Sequence, residues 1–96
     1  MNTISGKYQG DLRCELIHLQ SQTTIHTDAP IDNNGKGQSF SPTDLVAAAL
    51  VSCMLTILGM RAQARNIAIG NPSYTVLKKM ASQPRKIKEL VVKITF

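Results

Sequence analysis

The tightest constraint on this chain is one apolar stretch, Leu45 to Met60, interrupted only by Ser52, Thr56 and Gly59. Both flanks carry helix-end signals. Ser41 can cap the free amides of a first turn, and Pro42 at the first helical position gives up no hydrogen bond. Asp44 completes an S-x-x-D pattern and sets negative charge against the positive end of the macrodipole. Arg61 and Arg65 put positive charge at the other end, and Asn66 is suited to stop the helix. A helix from Ser41 to Arg65, about 24 residues at 1.5 Å each, is a rod of about 36 Å, long for a chain of 96 residues.

A helix apolar on all sides must be buried on all sides. The rival reading is a membrane span, which needs about 18 or more apolar residues. The run is shorter than that and rich in alanine (Ala47, Ala48, Ala49), so a core helix is expected and no membrane. Cys53 sits in its middle.

Around the helix the chain reads as strands. Tyr8 to His18 alternates, with Tyr8, Leu12, Cys14 and Leu16 on one face and Gln9, Asp11, Arg13 and Glu15 on the other, which predicts one half-buried strand. A polar turn at Leu19–Gln22 leads to a β-branched return strand, Thr23 to Thr27, giving an N-terminal hairpin. Asp28 to Phe40 is rich in Asp, Asn, Pro and Gly and reads as a surface loop. Its Gly35-Lys36-Gly37 lacks the spacing of a phosphate-binding loop. After the helix, strands are expected over Tyr74–Met80 and Leu90–Phe96, joined by a turn at Ser82-Gln83-Pro84-Arg85. The expected fold is α+β, with a β-hairpin on either side of one long buried helix. Four strands cannot cover a helix apolar all round, so a second copy of the chain is expected to complete the core as a homodimer.

A chain of 96 residues makes one domain at most, here 1–96. Its start, Met1 to Gly6, lacks the basic and apolar pattern of a signal peptide, and the two cysteines do not suggest a disulfide framework. The cytoplasm is the expected compartment, with Cys14 and Cys53 as thiols. The net charge of +5 is concentrated between Lys78 and Lys93. No aromatic residue is interleaved there as a stacking platform, so a solvated hairpin is expected rather than a nucleic-acid surface. Cys14, Cys53, His18 and His26 lack metal-ligand spacing, and no cofactor motif is present. Cys14 and both histidines read as ordinary strand residues, and on residue type alone Cys53 reads as packing.

The run from Phe40 to Met54, FSPTDLVAAALVSCM, resembles the signature of the osmotically inducible protein C and organic hydroperoxide resistance (OsmC/Ohr) superfamily. Gly10-Asp11-Leu12-Arg13-Cys14, Thr27-Asp28-Ala29-Pro30 and Gln83-Pro84-Arg85-Lys86-Ile87 resemble its OsmC-like branch. The resemblance spans the chain, which looks like the N-terminal two-thirds of a member and stops on an apolar residue in mid-strand. It implies an intertwined homodimer with sites at the subunit interface. It also implies a thiol peroxidase in which Cys53 is the nucleophile that reduces a small organic hydroperoxide, with an external thiol as reductant. In that family an Arg and a Glu tune the thiol. The Glu position holds Thr43, with Asp44 one place late, and Arg13 is the nearest match to the Arg. The family's second cysteine lies on a later helix, and Cys14 is not at that position. The alternative is a non-enzymatic dimer of the same fold that binds an apolar ligand or serves as an assembly module.

Overall fold

The computed structural model describes residues 2–96, which form two compact units, one ending at Thr43 and the other Asp44–Phe96. The first holds three antiparallel strands in the order β1 (Ile4–Gly10), β2 (Arg13–His18) and β3 (Thr23–Asp28). The second is built on α1, which spans Pro42–Ala64 and so starts just before the boundary, and on the hairpin β4 (Ser73–Ala81) and β5 (Lys86–Thr95). The class is α+β, as expected.

One expected element is corrected. Tyr8–His18 is not a single strand, because the chain reverses at Asp11-Leu12, which both take positive φ (53° and 62°). A two-residue loop with both φ positive matches strand twist, but it favours Asn or Gly in the second place rather than Leu. Leu12 is held there from two sides: its N–H donates to the Tyr8 hydroxyl (3.1 Å) and its carbonyl accepts from Ala29 N–H (3.1 Å). A bulge between Tyr8 and Gly10 lets Gly10 pair with Arg13 across the turn.

The loop after β3 is a ladder rather than a slack connection. Asp28 N–H donates to the Phe40 carbonyl, Gly37 N–H to Ala29, and both Asn33 and Gly35 N–H groups to Pro30. A 3-10 turn over Ile31–Asn33 forms its tip, ended by Asn34 at φ 70°. Gly35 is required by space, since a Cβ there would collide with the Ala29 carbonyl group.

The ends of α1 follow the sequence signals. The Ser41 hydroxyl lies 3.2 Å from that of Thr43 at the start. At the other end Asn66 takes φ 55°, Asn66 N–H donates to the Gln63 carbonyl and Ile67 N–H to that of Ala62. That pair of bonds is the Schellman closure. Between them the helix is long and apolar enough to cross a membrane by length and composition, with mean hydropathy 2.0 over its apolar window. The length argument against a span therefore does not hold by itself, because the 23-residue helix reaches beyond Leu45–Met60 and carries only Asp44 and Arg61 as charges at its ends.

In β4 and β5 the half-buried face carries Val76, Lys78 and Met80 against Leu90, Val92 and Ile94. A bulge at Lys79/Met80 shifts the register so that Met80 pairs with Ile87, which is also half-buried. The connecting turn contains a cis Gln83–Pro84 bond.

Candidate functional site

Within the chain α1 buries Ala47, Val51 and Ala62, with Val51 wholly inaccessible. At 3.6 residues per turn these three fall on one side, about 120–180° round from Cys53. The opposite side is solvent-facing: Val46, Ala49, Leu50, Cys53, Thr56, Ile57 and Met60 are all exposed and lie within about 60° of Cys53. Pro42–Ala64 has 23 residues and Cys53 is the twelfth, so the thiol occupies the centre of this stripe both along the helix and around it. Its neighbours one turn away on the same side are Ala49, Leu50, Thr56 and Ile57, none of them charged.

The residues expected to support a thiolate are engaged elsewhere. Asp44 Oδ1 lies 2.8 Å from Lys78 Nζ, a side chain only 15% exposed. Asp44 is nine residues from Cys53, about 13 Å along the axis and about 180° round it, on the side turned away from the stripe. Thr43 is about 15 Å along the axis from Cys53, with its hydroxyl near that of Ser41. Cys14 is half-buried in β2, paired with Tyr8 and Thr27.

Arg13 belongs to a polar cluster in the N-terminal unit. Its Nη2 lies 3.6 Å from Asp28 Oδ2 and also donates to Gln38 Oε1. Asp28 is 1% exposed, and its Oδ2 accepts the Gln38 backbone N–H at 3.0 Å. That hydrogen bond is the main reason the Asp28 carboxyl is held below its ordinary pKa. Burial acts in the opposite direction, and the Arg13 guanidinium adds to the lowering. These groups line a cleft of about 170 Å³ with Gln9, His26 and Ser39. His26 also stands 3.5 Å from Glu15, and His18 Nδ1 lies 2.6 Å from the Ser21 hydroxyl in the β2–β3 turn. Among the described residues no three His, Cys, Asp or Glu side chains gather as a metal site.

Asp28, noted in the sequence only within the Thr27–Pro30 stretch, and Gln38 are the residues to which sequence reasoning gave no site role. A lone Asp at the end of a strand carries no local mark of burial. Its proximity to Arg13 follows from β2–β3 register, in which Arg13 pairs with Asp28.

No protein-family model matches the chain, and no curated protein matches it. Among solved structures it is similar to a crystal structure from Psychrobacter arcticus 273-4, named as an osmotic stress induced and detoxification response protein. The identity is 52%, over 98% of this chain and 69% of that one, with a TM-score of 0.93. So close a structural match identifies α1 as the core helix of that fold and not a membrane span. Together with the FSPTDL–SC helix motif, it shows that the chain belongs to the OsmC family.

Proposed function

We propose that this protein is an OsmC-like stress-response peroxidase, acting in the cytoplasm as a homodimer, in which Cys53 reduces small organic hydroperoxides at the expense of an external thiol. The observation that carries the reading is an exposed thiol at the centre of an exposed apolar stripe, in a member of the OsmC family. The similar protein's name, with its osmotic stress and detoxification terms, supports the same assignment. An apolar surface around a nucleophile suits a hydroperoxide with an alkyl body. A second copy laid over the stripe would enclose both.

The chemistry is a two-electron exchange. The Cys53 thiolate attacks the terminal oxygen of ROOH; the S–O bond forms as the O–O bond breaks, and the leaving alkoxide takes a proton from solvent to give ROH. An external thiol then displaces water from the sulfenic acid to form a mixed disulfide, and a second thiol releases Cys53. Cys14 sits on a strand and is not assigned to the resolving step. A thiolate needs positive charge nearby. None lies within a turn of Cys53 on α1, so the cation must come from outside the helix. Arg13 is the candidate by resemblance, and its engagement with Asp28 is the observation that favours the alternative, a non-enzymatic ligand-binding or assembly module.

The deciding experiment is a limited pulse of tert-butyl hydroperoxide on the reduced protein, with mass spectrometry of each cysteine. The peroxidase reading expects oxidation at Cys53 well ahead of Cys14, abolished in Cys53→Ser with the assembly unchanged. An unmodified Cys53 would replace it with the module.

A further inference from the structure

The exposed stripe of α1 contains one hydroxyl. Thr56 is three residues beyond Cys53, about 60° round from it and about 4.5 Å along the axis, and it is solvent-facing. Residues at this spacing have Cβ atoms about 5–6 Å apart. Side chains on a helix lean toward its N-terminus, so Thr56 leans over the turn that carries Cys53, while Leu50 on the preceding turn leans away from it. None of the hydrogen bonds among the described residues engages the Thr56 hydroxyl. The remaining side chains of the stripe, Val46, Ala49, Leu50, Ile57 and Met60, have no hydrogen-bonding group except the weak thioether acceptor of Met60, and the exposed Ser52 hydroxyl, one turn before Thr56, lies about 100° round from Cys53, outside the stripe.

We infer that Thr56 is a catalytic residue of the Cys53 reaction, donating its O–H to the alkoxy oxygen of the bound hydroperoxide. This inference rests on the proposed function and adds to it the group that handles the leaving oxygen. When thiolate sulfur attacks the terminal oxygen of ROOH, negative charge develops on the oxygen that keeps the alkyl group. A donor aimed at that oxygen is stronger in the transition state than in the ground state, which is the condition for raising the rate. The hydroxyl stays neutral, and the alkoxide is protonated from solvent. Where a second copy covers the stripe, as the proposed dimer requires, the hydrogen bond competes with little water and counts for more than it would in bulk solvent. A Thr in a helix can instead turn its hydroxyl to the carbonyl four residues back, here Ser52, which would make it a purely local feature. The two roles predict different kinetics.

The test compares the protein with its Thr56→Val and Thr56→Ser variants. Valine keeps the β-branched shape and removes the hydroxyl; serine restores it. Each is reacted with tert-butyl hydroperoxide, read as the rate of Cys53 sulfenic acid formation, and separately with iodoacetamide, whose iodide leaving group needs no donor. Thr56→Val is expected to slow the peroxide reaction by about 10- to 100-fold, the size of one lost transition-state hydrogen bond. It should leave iodoacetamide alkylation and its pH profile within about twofold, and Thr56→Ser should recover most of the peroxide rate. A wild-type peroxide rate in Thr56→Val would overturn this inference alone, as would equal slowing of both reagents. A wild-type Cys53 that alkylates normally but ignores the hydroperoxide would overturn the proposed function and this inference with it.

Discussion

The substitution Leu50→Asp tests whether the exposed stripe of α1 is a subunit interface. Leu50 lies one turn before Cys53 and is 49% exposed; Val46, Ile57 and Met60 on the same side are 56, 48 and 63% exposed. Fully burying such a side chain is worth about 1.5–3 kcal/mol, so covering the remaining half of all four contributes about 3–6 kcal/mol per copy and about 6–12 for a symmetric pair. That is comparable with the association cost of about 4–15 kcal/mol that any dimer must offset. Leu50→Asp removes one half-buried leucine from each copy, about 2 kcal/mol for the pair. It also brings two carboxylates to an apolar surface, each with a desolvation penalty of several kcal/mol. The dimer should weaken by at least about a thousandfold, since each 1.4 kcal/mol is a factor of ten. Sedimentation velocity across the micromolar range reads the effect directly, with Ser52→Asp, about 160° round the helix from Leu50 and about 100° from Cys53, as the control expected to stay dimeric. Because Leu50 faces solvent in the single chain, far-UV circular dichroism of the monomeric variant should remain that of the folded protein. A wild-type protein that sediments as a monomer, or a Leu50→Asp dimer of undiminished strength, would refute the reasoning.

Two further outcomes concern stability. Asp28 has a lowered pKa in the fold, so the stability it contributes is present above its unfolded pKa, about 3.9, and is lost as pH falls through the lower folded value. The midpoint of thermal unfolding should therefore decline below about pH 4, and that part of the decline should vanish in Asp28→Asn. At the end of α1, Asn66→Gly should stabilise the protein by up to about 1 kcal/mol in denaturant titration, since φ 55° costs glycine nothing sterically; Asn66→Val should destabilise it.

What could be read from the sequence was what is encoded locally. Both ends of α1 were legible because caps act within one turn: Ser41 and Pro42 at one end, Asn66 at the other. The Pro84 turn and the alternation of β5 were legible for the same reason. The Asp11-Leu12 reversal was not, because a two-residue loop preserves the parity of alternating side chains, and Leu is a poor turn signal. The candidate thiol was found through the motif around it rather than through its spacing to a partner. Its position at the centre of the exposed stripe needed the structure, since a helix apolar on every side gives no hint of which side the rest of the chain will cover. The pairing of Arg13 with Asp28 depends on strand register, and that of Asp44 with Lys78 on helix–hairpin packing. Neither is written in residue spacing.

The ladder between β3 and α1 bears on how the protein can tolerate change in length. The loop is already closed at Asp28–Phe40, Ala29–Gly37 and Pro30–Gly35 before the chain reaches its tip. Residues added between Asn33 and Asn34 would enlarge only a terminal loop whose ends are fixed in place, and doubling such a loop costs about 0.6 kcal/mol. The rungs nearest the helix would keep Phe40 and Ser41 where they are. Asn33–Asn34 is therefore the place at which an epitope, a fluorophore-labelling peptide or a tethering handle can enter this protein with least disturbance to the helix that carries the thiol.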